Sequence, residues 1–579
     1  MRERPLLERA AKAIAIAAVA GSALVYAGTL FNGFAFDDLM YIVPNESIRD
    51  FDSLGKVLDF TGGGKGYRPI RNLVNVVNYA ACGLEPFGWH LVNLLLHVAA
   101  TALVLAVANR LLGRGSFAAA AAALVFALHP VHTEAIANVS GRKDALATIF
   151  FLLGWLAHLR YRETGRARDA ALVFAALALG FLSKEMALSL PLVLLLHEVA
   201  FGPDDVEGSR GLPWALRRAA REVARRPVFF GAFGAGLVLA TAFFFFITPA
   251  SEHPWWGGSP LTNYLTVGRI HAHYAGLLVA PVTLVGDYSF DAFPVTTSAA
   301  DPAAWVALAG VVAFALGAAA LFRRRPIAAF CALFVFVTLL PVSHLKPHHE
   351  LAGERFLYLP SIGFALLLGH LAGTLAARPG ASLRLALAPV ILVSLAYAGR
   401  TIARNRDWKD DVTFWTKTIA DAPRCARAHR NLAYHLFQAG RREEAFASME
   451  RSLAIEPDSG ASRFNLAIML EAIGDSDRAI EEYRVAKKHF RFDEKAMLNL
   501  GILLGKLGRL DDAEREFREL LDLDPEKGSA WFNLGVVMAK RGRTREAEEC
   551  YLKAIRAEQP FDPPGLDPAT LERLRAAPP

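Results

Sequence analysis

The chain has 579 residues, 54% of them hydrophobic, and a net charge of +7, with a mean hydropathy of +0.29. So apolar a composition excludes an ordinary soluble enzyme and predicts a polytopic membrane protein with a soluble appendage. The basic surplus does not predict nucleic-acid binding, because arginines concentrate in short stretches between apolar segments, notably 210–226 and 323–325, as in cytoplasmic loops. The four cysteines lack metal-ligand or redox spacing, so neither a zinc site nor a disulfide framework is expected.

Eleven segments are apolar enough, and mostly long enough, to cross a hydrocarbon core of about 30 Å. They lie near residues 11–31, 89–109, 116–130, 144–160, 170–183, 186–201, 228–248, 304–322, 327–343, 356–376 and 383–399. A twelfth segment, 263–283, carries Arg269 and two histidines. If it does not cross, every Arg-rich connection falls on the cytoplasmic side. An odd number of spans with a cytoplasmic N-terminus then places the C-terminal domain on the opposite face.

The C-terminal third of the chain is repetitive. Asn-Leu-Ala or Asn-Leu-Gly triplets begin at residues 431, 465, 499 and 533, a constant step of 34 residues. Glycines 440, 474, 508 and 542 and alanines 445, 479, 513 and 547 keep the same step. This pattern resembles the tetratricopeptide repeat, in which small residues let paired helices approach closely. Stacked repeats form a concave surface suited to extended protein segments, although a scaffold role is the alternative.

Ionisable residues gather at the ends of the apolar segments. They are Asp37, Asp38, His129, His132, Glu134, Arg142, Lys143, Lys184, Glu185, Glu354 and Arg355. On the topology above they share the non-cytoplasmic side, where few basic residues are expected. Because a charge at mid-bilayer costs about 2.5–3.5 kcal/mol on insertion scales, charges kept beside spans usually line a polar site. The sequence therefore predicts an active site on this face.

The motifs that carry these charges recur in one known family. They are Phe36-Asp37-Asp38, Tyr67-Arg68-Pro69, His129-Pro130-Val131-His132-Thr133-Glu134, Gly141-Arg142-Lys143-Asp144, Ser183-Lys184-Glu185 and Gly353-Glu354-Arg355. With the repeats, they resemble the protein O-mannosyltransferases that carry tetratricopeptide repeats, the cadherin-targeting type with bacterial relatives, of the GT-C glycosyltransferase class. The resemblance implies transfer of a sugar, with mannose expected, from a polyprenyl phosphate carrier to protein Ser/Thr hydroxyls on the non-cytoplasmic face.

The same resemblance implies the architecture. The predicted fold is all-α, with a GT-C-type transmembrane domain of about eleven spans at 1–404 and a connecting helix at 405–425. Four tetratricopeptide repeats follow at 426–561, and a tail at 562–579. The predicted location is a bacterial inner membrane with the repeats in the periplasm, or the endoplasmic reticulum membrane with lumenal repeats if the source is eukaryotic.

Roles for single residues follow from the class, in which the first acidic residue after the first span is the base. That residue is Asp37 here, with Asp38 as an alternative base or a group that orients the acceptor. Arg142, Lys184 and Arg355 are predicted to contact the donor phosphate, because guanidinium and ammonium groups stabilise a phosphate leaving group. Further candidates for substrate contacts are Arg68, His129, His132, Glu134 and Glu354.

Several alternatives stay open at this stage. Packing explains the histidine pair as well as binding does. Glu185 and Glu354 are expected as ion-pair partners of Lys184 and Arg355. No cofactor is predicted, although a divalent metal at the two aspartates is a further alternative. One alternative function is also a glycosyl transfer, with an envelope lipid or polysaccharide as the acceptor. The other is not enzymatic: a non-catalytic membrane scaffold whose repeats bind a partner.

Overall fold

The structure is a computed structural model that describes residues 3–51, 55, 68–202, 212–242, 254–289, 291–348, 350–378, 382–489, 493–557 and 572. Throughout these ranges the regular elements are helices and no strand occurs, so the all-α prediction is confirmed. The chain forms two compact units, Met1–Pro423 and Arg424–Pro579. The predicted tail at 562–579 lies outside the described residues except for Glu572.

The first unit is built from helices. They are α1 (Glu3–Tyr26), α2 (Asp38–Tyr41), α3 (Pro69–Cys82), α4 (Pro86–Leu111), α5 (Phe117–Leu128), α6 (Thr133–Ala137), α7 (Arg142–Thr164), α8 (Ala167–Ser183), α9 (Leu190–Phe201), α10 (Leu212–Arg225), α11 (Pro227–Ala242), α12 (Pro260–Val279), α13 (Pro302–Leu321), α14 (Pro326–Leu339), α15 (Ser361–Ala376), α16 (Leu383–Asn405) and α17 (Asp411–Asp421). Proline begins many of them, as at Pro86 and Pro302, because its fixed φ suits the first helical turn.

The alanine-rich helix α5 lies in the interior of this unit, and every one of its residues is buried. It packs against α1 on one side and α15 on another. A Cβ atom at Gly373 of α15 would lie 2.7 Å from the Cβ of Ala118, so only a glycine permits this approach. Small residues that allow close helix contact are typical of packing within membranes.

Among the residues that the structure describes, four helices are long and apolar enough to cross a membrane: Leu6–Phe31, Pro86–Leu111, Pro302–Leu321 and Arg384–Trp408. The helices Phe117–Leu128 and Pro130–Ala137, bent by 48°, form either a broken fifth span or a re-entrant loop. A multi-pass membrane protein is supported, but the predicted count of about eleven spans is not confirmed. Several expected segments form shorter helices; α9 has 12 residues and so covers only about 18 Å. Part of the expected span 228–248 lies outside the described residues.

The second unit consists of antiparallel helix pairs. Its helices are α18 (Ala426–Gln438), α19 (Arg442–Ile455), α20 (Gly460–Ala472), α21 (Ser476–Ala486), α22 (Asp493–Lys506), α23 (Leu510–Leu523), α24 (Gly528–Lys540) and α25 (Thr544–Ala557). Within each pair the two helices pack directly on each other. A Cβ atom at Gly501 would lie 2.6 Å from the ring of Phe517, which explains the small residue at that repeat position.

Candidate active site

Asp37 and Asp38 are neighbours in sequence but differ in their surroundings. Asp38 is buried, and its Oδ1 accepts a hydrogen bond from the backbone of Ser140 (2.7 Å) while Oδ2 accepts one from Val139 (3.1 Å). Burial raises the pKa of Asp38 to about 7. Asp37 is only half-buried, and no described residue donates a hydrogen bond to its carboxylate. Asp38 therefore holds the turn before α7, whereas Asp37 is available for chemistry.

Asp37 and three basic side chains from separate segments all act electrostatically on a fourth basic side chain. Lys143, at the start of α7, is acted on by the charges of Asp37, Arg71, Lys184 and Arg355. We call these five residues the charge cluster. The Lys143 ammonium is half-buried and has no hydrogen-bond or ion-pair partner among the residues that the structure describes. The cluster thus contains one carboxylate and one ammonium whose hydrogen-bonding capacity is unused.

Lys184 and Arg355 come from distant parts of the chain but contact the same aromatic ring. The Lys184 Nζ atom lies 4.7 Å from the ring centroid of Phe356, and the Arg355 guanidinium carbon lies 5.4 Å from it. Lys184 also donates to Oδ1 of Asp144 (2.6 Å). The second oxygen of that buried carboxylate has no partner among the described residues. Both cations are therefore fixed in place before any substrate arrives.

Glu134 fixes the position of Arg355 twice. One carboxylate oxygen accepts from the Arg355 backbone N–H (2.8 Å), and the other pairs with its guanidinium. The guanidinium also pairs with Glu350. Glu134 was a candidate for substrate contact, but its two oxygens are taken up by this arginine.

Arg142 lies next to the charge cluster in sequence but makes different contacts. Its guanidinium is fully buried and donates to the side-chain oxygens of Asn75, Asn78 and Asn93 at 2.9–3.0 Å. It also donates to the carbonyl of Trp89 at 3.0 Å. These neutral acceptors engage four of the five guanidinium N–H donors, so Arg142 ties α3 and α4 to α7.

The ion pairs of the two remaining glutamates differ from the expected ones. Glu185 pairs with Arg68, not with Lys184. Glu354 is buried and accepts from the Tyr288 hydroxyl (3.3 Å), and its second oxygen lies 3.6 Å from Arg404. The expectation that these glutamates pair with Lys184 and Arg355 was wrong, because Asp144 and Glu134 lie closer to those cations.

His129 and His132 lie in the packed interior. Nδ1 of His129 accepts from the Val131 backbone (3.3 Å), so Nε2 carries the hydrogen and lies 2.9 Å from the Leu278 carbonyl. Nε2 of His132 lies 2.8 Å from the Ser361 hydroxyl, and its ring lies 4.6 Å from that of Tyr358. Of the two alternatives for this pair, these contacts favour packing.

One group of three side chains in the described ranges is close enough to hold a metal ion: His158, His197 and Glu198. Glu198 lies 3.1 Å from Arg162 and 3.3 Å from Arg226, and these two positive charges oppose a divalent cation. At the predicted metal alternative, Asp37 and Asp38, both carboxylate oxygens of Asp38 already accept backbone hydrogen bonds.

Family models match two parts of the chain. The model described as dolichyl-phosphate-mannose-protein mannosyltransferase matches residues 81–206, which include Lys143 and Lys184. The tetratricopeptide repeat model matches residues 403–460 and 498–563.

Curated relatives extend this similarity to most of the chain. Protein O-mannosyl-transferase TMTC1 of Homo sapiens is 27% identical over 79% of this chain and 57% of its own length. TMTC4 of Homo sapiens is 28% identical over 74% of this chain and 64% of its own length. TMTC3 of Mus musculus is 24% identical over 80% of this chain and 53% of its own length. The chain spans less than two thirds of the length of these relatives. The expected resemblance to the repeat-bearing protein O-mannosyltransferases is thus confirmed over about four fifths of the chain.

Proposed function

We propose that this protein is a membrane glycosyltransferase that transfers mannose from a polyprenyl phosphate to Ser or Thr hydroxyls of proteins. The names of the relatives support the sugar and the protein acceptor. The observation that carries the proposal is that an unbonded carboxylate, Asp37, and an unbonded ammonium, Lys143, lie within electrostatic range of each other and of further cations.

Asp37 is the proposed general base. Its carboxylate takes the proton of the acceptor hydroxyl while the hydroxyl oxygen forms a bond to the anomeric carbon of the sugar. The bond from that carbon to the phosphate oxygen breaks, and its electron pair leaves with the phosphate. Attack from the face opposite the phosphate inverts the anomeric configuration. A positioned base of this kind typically contributes about 10²- to 10⁴-fold in rate.

Lys143 is the proposed direct contact to the leaving phosphate. Its ammonium carries hydrogens that no described residue accepts, and a phosphate oxygen can accept them. Lys184 and Arg355 already hold carboxylate partners, so they contribute mainly through their positive charge. This assignment moves the phosphate contact predicted for Arg142 to the next residue in the chain, because four of the five Arg142 N–H donors already have acceptors.

The repeats are proposed to bind the protein acceptor. The proposed orientation puts the charge cluster and the repeats on the non-cytoplasmic face, the periplasm of a bacterium. It is supported by the Arg-rich connections, which the positive-inside rule assigns to the opposite face. Impermeant labelling of a cysteine introduced at Lys506 tests the orientation, and labelling from the cytoplasmic side would contradict it.

The activity is tested with the purified protein in lipid nanodiscs, polyprenyl phosphate mannose, and a candidate acceptor protein from the same cell envelope. We expect intact-mass spectrometry to detect hexose added to Ser or Thr, and no addition when a nucleotide sugar replaces the lipid donor. Sugar found only on lipid or polysaccharide would favour the other transferase function. Absence of turnover with every donor, together with intact partner binding by the repeats, would favour the scaffold.

A further inference from the structure

The residue before the proposed base has an unusual backbone conformation. Phe36 has φ = +57°, a left-handed conformation that a bulky L-residue rarely adopts. Such conformations persist where surrounding contacts enforce them, and they recur at functional sites. Phe36 and Asp37 share a peptide bond, so the contacts that hold Phe36 also direct the Asp37 side chain.

Those contacts come from the segment that precedes the repeats. The Phe36 backbone N–H donates to Oδ1 of Asp411, the first residue of α17, at 3.0 Å. The Phe36 ring lies among three aromatic rings of the same segment, with centroid distances of 6.2 Å to Trp408, 5.2 Å to Phe414 and 5.5 Å to Trp415.

The same segment also contacts the residues just before Phe36. The Gly33 backbone N–H donates to the Lys409 carbonyl (2.9 Å), and the Asn32 side chain donates to the Asn405 carbonyl (3.1 Å). Asn405 in turn donates to the carbonyl of Val25 in α1 (2.7 Å). Residues 405–415 therefore contact the loop of the proposed base at several successive positions.

We propose that Asp411 is a positioning residue that sets the direction of the Asp37 carboxylate through the Phe36 backbone. This inference rests on the proposed role of Asp37 as the base. The bond joins a carboxylate to a backbone N–H, and bonds to charged groups are the stronger ones in proteins. Because the chain passes from α17 into the repeat unit at Arg424, the helix that precedes the repeats is also the one that orients the base.

The test compares Asp411→Ala and Asp411→Asn with a matched control, Asp410→Ala, in the full chain. Asp410 caps the same helix by accepting from the Thr413 backbone N–H (2.8 Å), and no other hydrogen bond of its carboxylate is found among the described residues. We expect Asp411→Ala to lower kcat about tenfold or more, as loss of a charged hydrogen bond does, with the KM for the lipid donor unchanged. Asn keeps an acceptor oxygen, so Asp411→Asn should stay within about threefold of the parent kcat.

The Asp410→Ala control should lower thermal stability through loss of the cap and leave kcat per folded molecule unchanged. Equal kcat losses in Asp411→Ala and Asp410→Ala, or an Asn variant as impaired as the Ala variant, would overturn the proposal. If Asp411→Ala does not fold, Trp415→Phe, which thins the contact with the Phe36 ring, should still lower kcat with KM unchanged; an unchanged kcat would overturn the proposal. Asp37→Asn measured in parallel separates the two proposals, because its normal turnover would end the base assignment itself.

Discussion

The two ends of helix α7 both carry buried charge but differ in how it is paired. Lys143 lies at the first end, and His158 and Arg162 lie at the other, about 22 Å and about 28 Å away along the axis. At the second end Glu198 lies 2.7 Å from His158, 3.1 Å from Arg162 and 3.3 Å from Arg226. Its charge is fully compensated, whereas the Lys143 end keeps an unbonded carboxylate and an unbonded ammonium. Charged groups that lack an ion-pair partner among the described residues, more than buried charge, distinguish the candidate active site.

A cavity of about 420 Å³ lies at the second end of α7, and its size is that of a ligand-binding site. Each arginine in its lining already has a carboxylate partner: Arg110 pairs with Glu163, Arg162 with Glu198, Arg225 with Glu222, and Arg226 with Glu198 and Glu222. A concave shape is therefore a poor guide in this protein, and the pairing of the charges is a better one.

The largest expected effect is on the base. Asp37→Asn keeps the side-chain size but removes the base, so turnover should fall by about 10²- to 10⁴-fold with thermal stability unchanged. Asp38→Asn should instead destabilise the fold by about 1–3 kcal/mol, because one backbone N–H now faces an amide N–H₂. Turnover and thermal unfolding are measured on both variants. Near-normal turnover of Asp37→Asn would mean either that Asp38 is the general base or that neither aspartate is.

The next effect compares the two ends of α7 directly. Lys143→Gln removes the unpaired ammonium and should lower kcat/KM by about 10- to 100-fold, the loss expected for a hydrogen bond to a charged group. Arg162→Gln, at the paired end, should lower thermal stability and leave kcat/KM per folded molecule unchanged. Equal kinetic losses in both variants would contradict the distinction between the two ends.

A smaller effect separates the chemistry from acceptor capture. Deleting residues 426–561 removes the repeats but leaves the charge cluster and α17, so transfer to a short peptide should persist. Transfer to a full protein acceptor should fall by about tenfold or more, since a second binding site raises the local acceptor concentration. Both acceptors are assayed on the intact and shortened chains. The same loss on both would mean that the repeats mainly stabilise the membrane unit.

The smallest effect is the pH dependence of stability. Burial raises the pKa of Asp38 to about 7, above its value of about 3.9 in an unfolded chain. The folded state then binds this proton more tightly, and the stability gained in this way is lost as pH rises through about 7. The temperature of thermal unfolding should therefore fall more steeply between about pH 4 and pH 7 in the parent than in Asp38→Asn. Parallel curves would show that Asp38 does not titrate in this range.

The repeat unit could be predicted from the sequence almost helix by helix. A constant 34-residue step determines which helices pair, because each repeat packs only on its neighbours. Residues such as Gly501, which faces the ring of Phe517, have an evident steric reason in the repeat pattern itself.

The sequence predicts which segments carry the candidate site, but it does not predict the contacts of the individual side chains. Asp37, Lys184 and Arg355 all lie at ends of apolar segments, and in the structure all three lie within electrostatic range of Lys143. Their partners depend on how each helix is rotated, and the motifs carry no information on that. Arg142 and Lys143 are adjacent, but successive helix residues point about 100° apart. One therefore lies among asparagines and the other faces the charge cluster. The number of spans was equally hard to predict, because hydropathy does not determine whether a short helix such as α9 crosses.

The most direct test is a cryo-electron microscopy structure of the protein in nanodiscs with a non-transferable polyprenyl phosphate sugar. We expect the phosphate within hydrogen-bonding distance of the Lys143 ammonium, with the anomeric carbon of the sugar on the side of Asp37. A phosphate bound by Arg162 and Arg226 at the other end of α7, with the charge cluster empty, would contradict the central claim.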